Sequence, residues 1–142
     1  MKRFLLLFLA TVVTAWSASA QLSVSQLRTE HLTDPVGIGE RRPLLSWEVS
    51  DASRRGVTQS AYEIRVKSGG RTVWRTGKVA SAESAGVFYD GTPLTSDTRY
   101  TWQVRVWDGR GKASAWSRPA FWRTGLFDVG EWQARWIEPA VS

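Results

Sequence analysis

The chain has 142 residues, no cysteine, one histidine, and 19 basic against 13 acidic side chains, for a formal net charge of +6. Without cysteine it can form no disulfide and carry no acylated lipoprotein anchor. With His31 as the only histidine and no cysteine, no metal site is expected, and no cofactor. The arginines and lysines stand singly or in pairs, such as Arg41-Arg42 and Arg54-Arg55, mostly in predicted loops. A nucleic-acid binder would gather them on one face. The charge therefore reads as solubilising surface, with no nucleic-acid partner expected.

The first element is a leader, residues 1–20. Lys2 and Arg3 form a basic start, Phe4 to Trp16 is apolar apart from two threonines, and Ala18-Ser19-Ala20 has the small-x-small form of a cleavage site. That is the pattern of a secretory signal peptide. The apolar run falls short of the roughly twenty residues that an uncleaved spanning helix needs. Cleavage would leave a chain starting at Gln21, exported to the periplasm or the outside and free of the membrane. Removing twenty of the 142 residues leaves 122, the size of one domain.

Beyond the leader, short alternating runs replace helical periodicity. They lie at Leu22 to Leu32, Pro43 to Val49, Gln59 to Lys67, Thr72 to Trp74, Val87 to Tyr89, Tyr100 to Trp107 and Ala115 to Thr124, with Gly, Pro, Asp and Ser between them. Seven short strands over residues 21–125 predict an all-β, seven-stranded immunoglobulin-like sandwich. Parity assigns the faces. Leu45, Trp47 and Val49 share one, as do Tyr62, Ile64 and Val66, and Tyr100, Trp102, Val104 and Val106. Trp47, Tyr62, Trp102 and Val104 should lie at the centre of the core, and Glu63, Arg65 and Lys67 should point outward. Tyr100, six residues after Leu94, is placed to hydrogen-bond back to the backbone at the corner before its strand.

Residues 126–142 are too apolar for a free tail and too few for a domain. Leu126, Phe127, Trp132, Trp136 and Ile137 suggest a linker and the first strand of a following domain, so the chain reads as a fragment. Glu48, Glu63 and Asp108 read as exposed strand and turn residues rather than a catalytic pair of carboxylates, and Gly109-x-Gly111 as a hairpin turn. Three tryptophans remain as candidates for an interdomain or sugar-contact surface. Trp107 has the wrong parity for the core, and Trp132 and Trp136 lie in the apolar tail.

The strand motifs together resemble a fibronectin type III domain: Leu45-Ser46-Trp47, Tyr62-x-Ile64-x-Val66, Leu94 to Tyr100, and Gly111 to Trp116-Ser117. A narrower resemblance covers residues 27–138. His31 to Ile38, Pro43 to Trp47, Val73-Trp74-x-Thr76-Gly77, Arg105-Val106-Trp107-Asp108, Trp122-x-Thr124-Gly125 and Trp132-x-Ala134-x-Trp136 are similar to the opening of bacterial α-L-rhamnosidases. Arg75 departs from an expected acidic residue at an exposed position. The resemblance implies a parent enzyme that releases terminal α-L-rhamnose with inversion. Its catalytic acids would lie on an (α/α)₆ barrel further along, so no catalytic residue carries over to this chain. The implied role is a non-catalytic N-terminal accessory domain, with the parent's other domains as partners and rhamnosylated glycosides as a further contact. A stand-alone carbohydrate-binding module and an adhesion-type exported sandwich are the alternatives.

Overall fold

The structure is a computed structural model that describes residues 22–51, 56 and 58–134. The leader (residues 1–20) and Trp136 lie outside the described residues.

Among the described residues, nine strands build two sheets. They are β1 (Leu22–Thr29), β2 (Val36–Ile38), β3 (Leu44–Asp51), β4 (Gln59–Ser68), β5 (Arg71–Arg75), β6 (Val79–Ala80), β7 (Val87–Phe88), β8 (Arg99–Asp108) and β9 (Ala120–Thr124). Each of the seven predicted runs contains a strand. Two short ones, β2 and β6, escaped the sequence because runs of two or three residues carry no alternation. One sheet has the order β1-β3-β7. The other runs β2-β9-β8-β4-β5, with β6 also paired to β4. All pairings are antiparallel except β2 with β9. The chain crosses from the first sheet to the second between Thr29 and Val36. There Pro35 O accepts from Arg123 N and Asp34 Oδ1 from Phe121 N.

The core lies between the sheets and follows the alternation. Leu45, Ile64, Val66, Trp102, Val104, Val106 and Trp122 are essentially fully buried. Such side chains contribute roughly 1.5–3 kcal/mol each when removed from water. Aromatic rings tie the layers edge to face, Trp47 with Tyr62 at 5.2 Å and Trp74 with Tyr89 at 5.1 Å, while Tyr100 stacks on Trp122 at 5.4 Å. Trp47 donates its indole N–H to Gln59 Oε1 at 3.0 Å. The amide of Gln59 in turn donates to Ser81 O and Glu83 O, which fastens the irregular segment after β6.

The expected corner is present. Tyr100 is buried, and its hydroxyl oxygen accepts from the Thr95 N–H at 3.0 Å. Leu94 is buried with it.

One predicted strand is remade at its start. Of the run from Ala115 to Thr124, only Ala120–Thr124 is regular strand. The segment before it still pairs with β8, using serine hydroxyls where a ladder would use backbone carbonyls. Ser114 N donates to Val106 O at 2.7 Å, and Ser114 Oγ accepts from Val106 N at 3.0 Å. Ser117 repeats the pattern on Val104, at 2.8 and 3.0 Å.

Candidate interdomain and ligand-contact surfaces

Those two serines set the position of Trp116. With Ser114 and Ser117 turned onto the β8 backbone, Trp116 is carried over the outer face of the six-stranded sheet. The Arg65 and Arg105 guanidinium carbons lie 4.1 and 4.8 Å from its ring centre. Arg105 is also 5.0 Å from the ring of Trp107, two residues along β8, and Lys78 Nζ is 4.9 Å from that ring. Cations and rings thus alternate from Arg65 through Trp116, Arg105 and Trp107 to Lys78. Each contact of this type is worth about 0.5–1 kcal/mol where exposed and more where water is excluded. At the other end of the face, the Arg99 guanidinium carbon sits 3.8 Å from the ring of Phe121.

Beneath this ladder lies Glu63, and here the sequence expectation fails. Glu63 does point outward, but it is only 2% exposed. Its Oε1 accepts from Arg75 Nε at 2.5 Å, and its Oε2 pairs with Arg105 Nη2 at 2.6 Å. Parity gives direction, not cover, and on this face the cover comes from longer neighbours. Burial pushes the carboxyl pKa up. The hydrogen bonds and charges of Arg75 and Arg105 outweigh burial and hold it below its ordinary value. A carboxylate kept ionised and claimed at both oxygens is a structural anchor and a poor proton donor. Arg75 is exposed, as expected, and engaged all the same.

The other acids behave as expected. Glu48 is exposed, and Asp108 Oδ1 caps the hairpin by accepting from Arg110 N and Lys112 N. Among the described residues, no group of three or more His, Asp or Glu is placed to hold a metal ion.

Trp132 belongs to a different place. It follows a 3-10 turn at Val129–Glu131 and is 65% exposed, beside Val129 at 88% and Leu126 at 38%. Glu131 Oε2 accepts from Ser96 Oγ at 2.6 Å and from the amides of Phe127 and Asp128, which ties this turn to the corner ahead of β8. Arg41 adds an ion pair to Asp128 at 3.3 Å and lies over Phe127 at 4.5 Å. Trp107 is the ninth of the ten residues of β8. At about 3.3 Å per residue it stands roughly 26 Å along the strand from Arg99, whereas the turn before Trp132 is tied to Ser96, ahead of the start of β8.

Two sheets packed on an aromatic core, with a tyrosine corner, define an immunoglobulin-like β-sandwich domain. Residues 24–128 match the family described as the Rha78A-like N-terminal immunoglobulin domain, and the chain belongs to that family. The α-L-rhamnosidase of Streptomyces avermitilis is 44% identical over 121 residues, which cover 82% of this chain and 12% of that protein. The structure of that enzyme complexed with L-rhamnose superposes with a TM-score of 0.78 at 43% identity, over 84% of this chain and 12% of the other. The α-L-rhamnosidase from Dictyoglumus thermophilum superposes with a TM-score of 0.75 at 33% identity, over 82% of this chain and 14% of the other. The chain spans about 12% of the length of the curated relatives it matches.

Proposed function

We propose that this chain is the non-catalytic N-terminal domain of an exported α-L-rhamnosidase and that its role is structural. The observation that carries this reading is a family match over residues 24–128, joined to relatives named α-L-rhamnosidase that it covers over only 12% of their length. The leader pattern of residues 1–20 supports export. The exposed Leu126, Val129 and Trp132 at the corner end support a docking surface for the domain that follows, since contiguous exposed apolar groups mark interaction sites. Trp107 and its ladder stiffen the far end of β8.

Two measurements test this. The purified chain should give no hydrolysis of an aryl α-L-rhamnoside above a mock preparation. Turnover that survives purification would overturn the non-catalytic assignment. Expressed with its leader in a bacterial host, the chain should be recovered from the periplasm or medium with Gln21 as its first residue. Recovery of uncleaved chain in the cytosol would overturn export.

A further inference from the structure

The positive charge is scattered along the sequence, and the fold gathers it. Arg65 and Lys67 of β4, Arg75 of β5, Arg99 and Arg105 of β8 and Arg123 of β9 all lie on the outer face of the six-stranded sheet. They alternate with core residues such as Ile64, Val104 and Trp122. Lys78 joins them at Trp107. The acids there are already engaged: Glu63 by Arg75 and Arg105, and Asp97 at the corner by Arg123 at 2.8 Å. The outer face of the three-stranded sheet is unlike this, with Ser23, Ser25, Ser46 and Ser50, the acid Glu48 and the cation Arg28.

We propose that the outer face of the six-stranded sheet binds an anionic polysaccharide through its carboxylates. Charge complementarity is the first argument, since a one-sided surplus of cations raises the local concentration of a polyanion. The second is preorganisation. Arg99 rests on the ring of Phe121, which holds its planar fork in place for a carboxylate, while Arg65 and Arg105 rest on Trp116 and give Nε and Nη2 to Gln103 and Glu63, which fixes their positive charge on the face. The form of the surface argues against other polyanions and partners. Single-stranded nucleic acid stacks its bases on open ring faces, and here cations sit over those rings. A duplex is read by an element that enters a groove, and this is a sheet face. A protein interface has an apolar centre depleted of charge, whereas Arg105 lies in the middle of this one. The proposal concerns this face alone and stands or falls independently of the parent reaction.

The test is affinity electrophoresis of the full chain in gels containing polygalacturonate, with dextran as the neutral reference. Retardation is expected in polygalacturonate only, and it should weaken between about 50 and 200 mM salt as the screening length shortens. Lys67→Glu/Arg99→Glu should weaken binding about tenfold or more. Arg28→Glu/Arg42→Glu, an equal change of charge away from the face, should leave it within about twofold. Melting curves check that each variant is folded. If the double variant on the face does not fold, Lys67→Gln, at an exposed position, should still weaken binding measurably. No retardation, equal retardation in dextran, equal weakening by both double variants, or tighter binding to a single-stranded oligonucleotide at the same salt would each overturn the proposal.

Discussion

Arg105 gives two nitrogens to one oxygen of Glu63, Nε at 2.8 Å and Nη2 at 2.6 Å from Oε2. Glu63 is buried while its partners keep contact with water, Arg105 partly and Arg75 more fully. Removing the acid therefore leaves two cations that water can reach in part, rather than two stranded charges. Glu63→Ala is expected to destabilise the domain by about 1–3 kcal/mol, below the 3–5 kcal/mol typical of a fully buried pair. Urea denaturation at neutral pH checks this. A midpoint equal to that of the parent chain would mean that the ladder stands without its acid.

The same carboxylate sets a dependence on pH. Its pKa in the folded domain lies below the ordinary value of 4.5, because Arg75 and Arg105 outweigh burial. A carboxylate held below its unfolded value contributes its stability fully above that value and loses it as pH falls through the folded one. The advantage of the parent chain over Glu63→Gln should thus be constant near neutrality and shrink as the pH falls below about 4.5. Denaturant midpoints of both proteins along a descending pH series read this out. A difference that grows on acidification would show that Glu63 is not the group responsible.

Ser114 and Ser117 make a prediction of a different kind. Each hydroxyl accepts the amide of a β8 residue, Val106 or Val104, and both serines are buried. Alanine at either position leaves a buried N–H without its acceptor and should cost about 1–3 kcal/mol. Amide exchange gives the sharper readout. Val106 should lose protection in Ser114→Ala and Val104 in Ser117→Ala, each more than its neighbours. Unchanged protection would mean that water replaces the hydroxyl at no cost.

The core was legible in the sequence because it obeys a period of two. Trp47, Tyr62, Trp102 and Val104 are all buried, as alternation requires. The outer face was legible in direction only. Glu63 points where parity sends it, yet what engages it is Arg75 and Arg105, brought from two other strands. Trp116 could not be placed because its position depends on serine hydroxyls standing in for a β-ladder. The clustered cations are readable in the sequence as well. Arg65, Lys67, Arg99, Arg105 and Arg123 all occupy outward positions of strands that the alternation had already identified. Trp132 reads as an apolar residue outside the core, but the turn that precedes it is held by Glu131 on Ser96, which no sequence period encodes.

At the corner, the Tyr100 hydroxyl takes the Thr95 N–H and also lies 3.2 Å from Thr95 Oγ1. Tyr100→Phe keeps the ring stacked on Trp122 and removes only the acceptor. The expected loss is about 1 kcal/mol, the net value of one hydrogen bond. Thermal or urea unfolding of the variant checks it. A loss several times larger would assign the ring packing, rather than the hydroxyl, to the change.

Trp102 is the most demanding test of the layer assignment. It is 1% exposed on β8, and its indole nitrogen has no hydrogen-bond partner among the described residues. Its contribution is therefore packing volume rather than polar contact. Trp102→Ala should cost about 3–5 kcal/mol, since a cavity of that size between two sheets cannot collapse fully. Trp102→Phe keeps most of the apolar surface and removes the unpartnered N–H, so it should cost clearly less than alanine. The same replacements at Trp107, half-buried on the opposite face of the strand, remove contacts to Lys78 and Arg105 and leave the core filled. The alanine penalty at Trp102 should therefore exceed that at Trp107. Equal penalties would mean that the outer ladder carries as much of the fold as the core does.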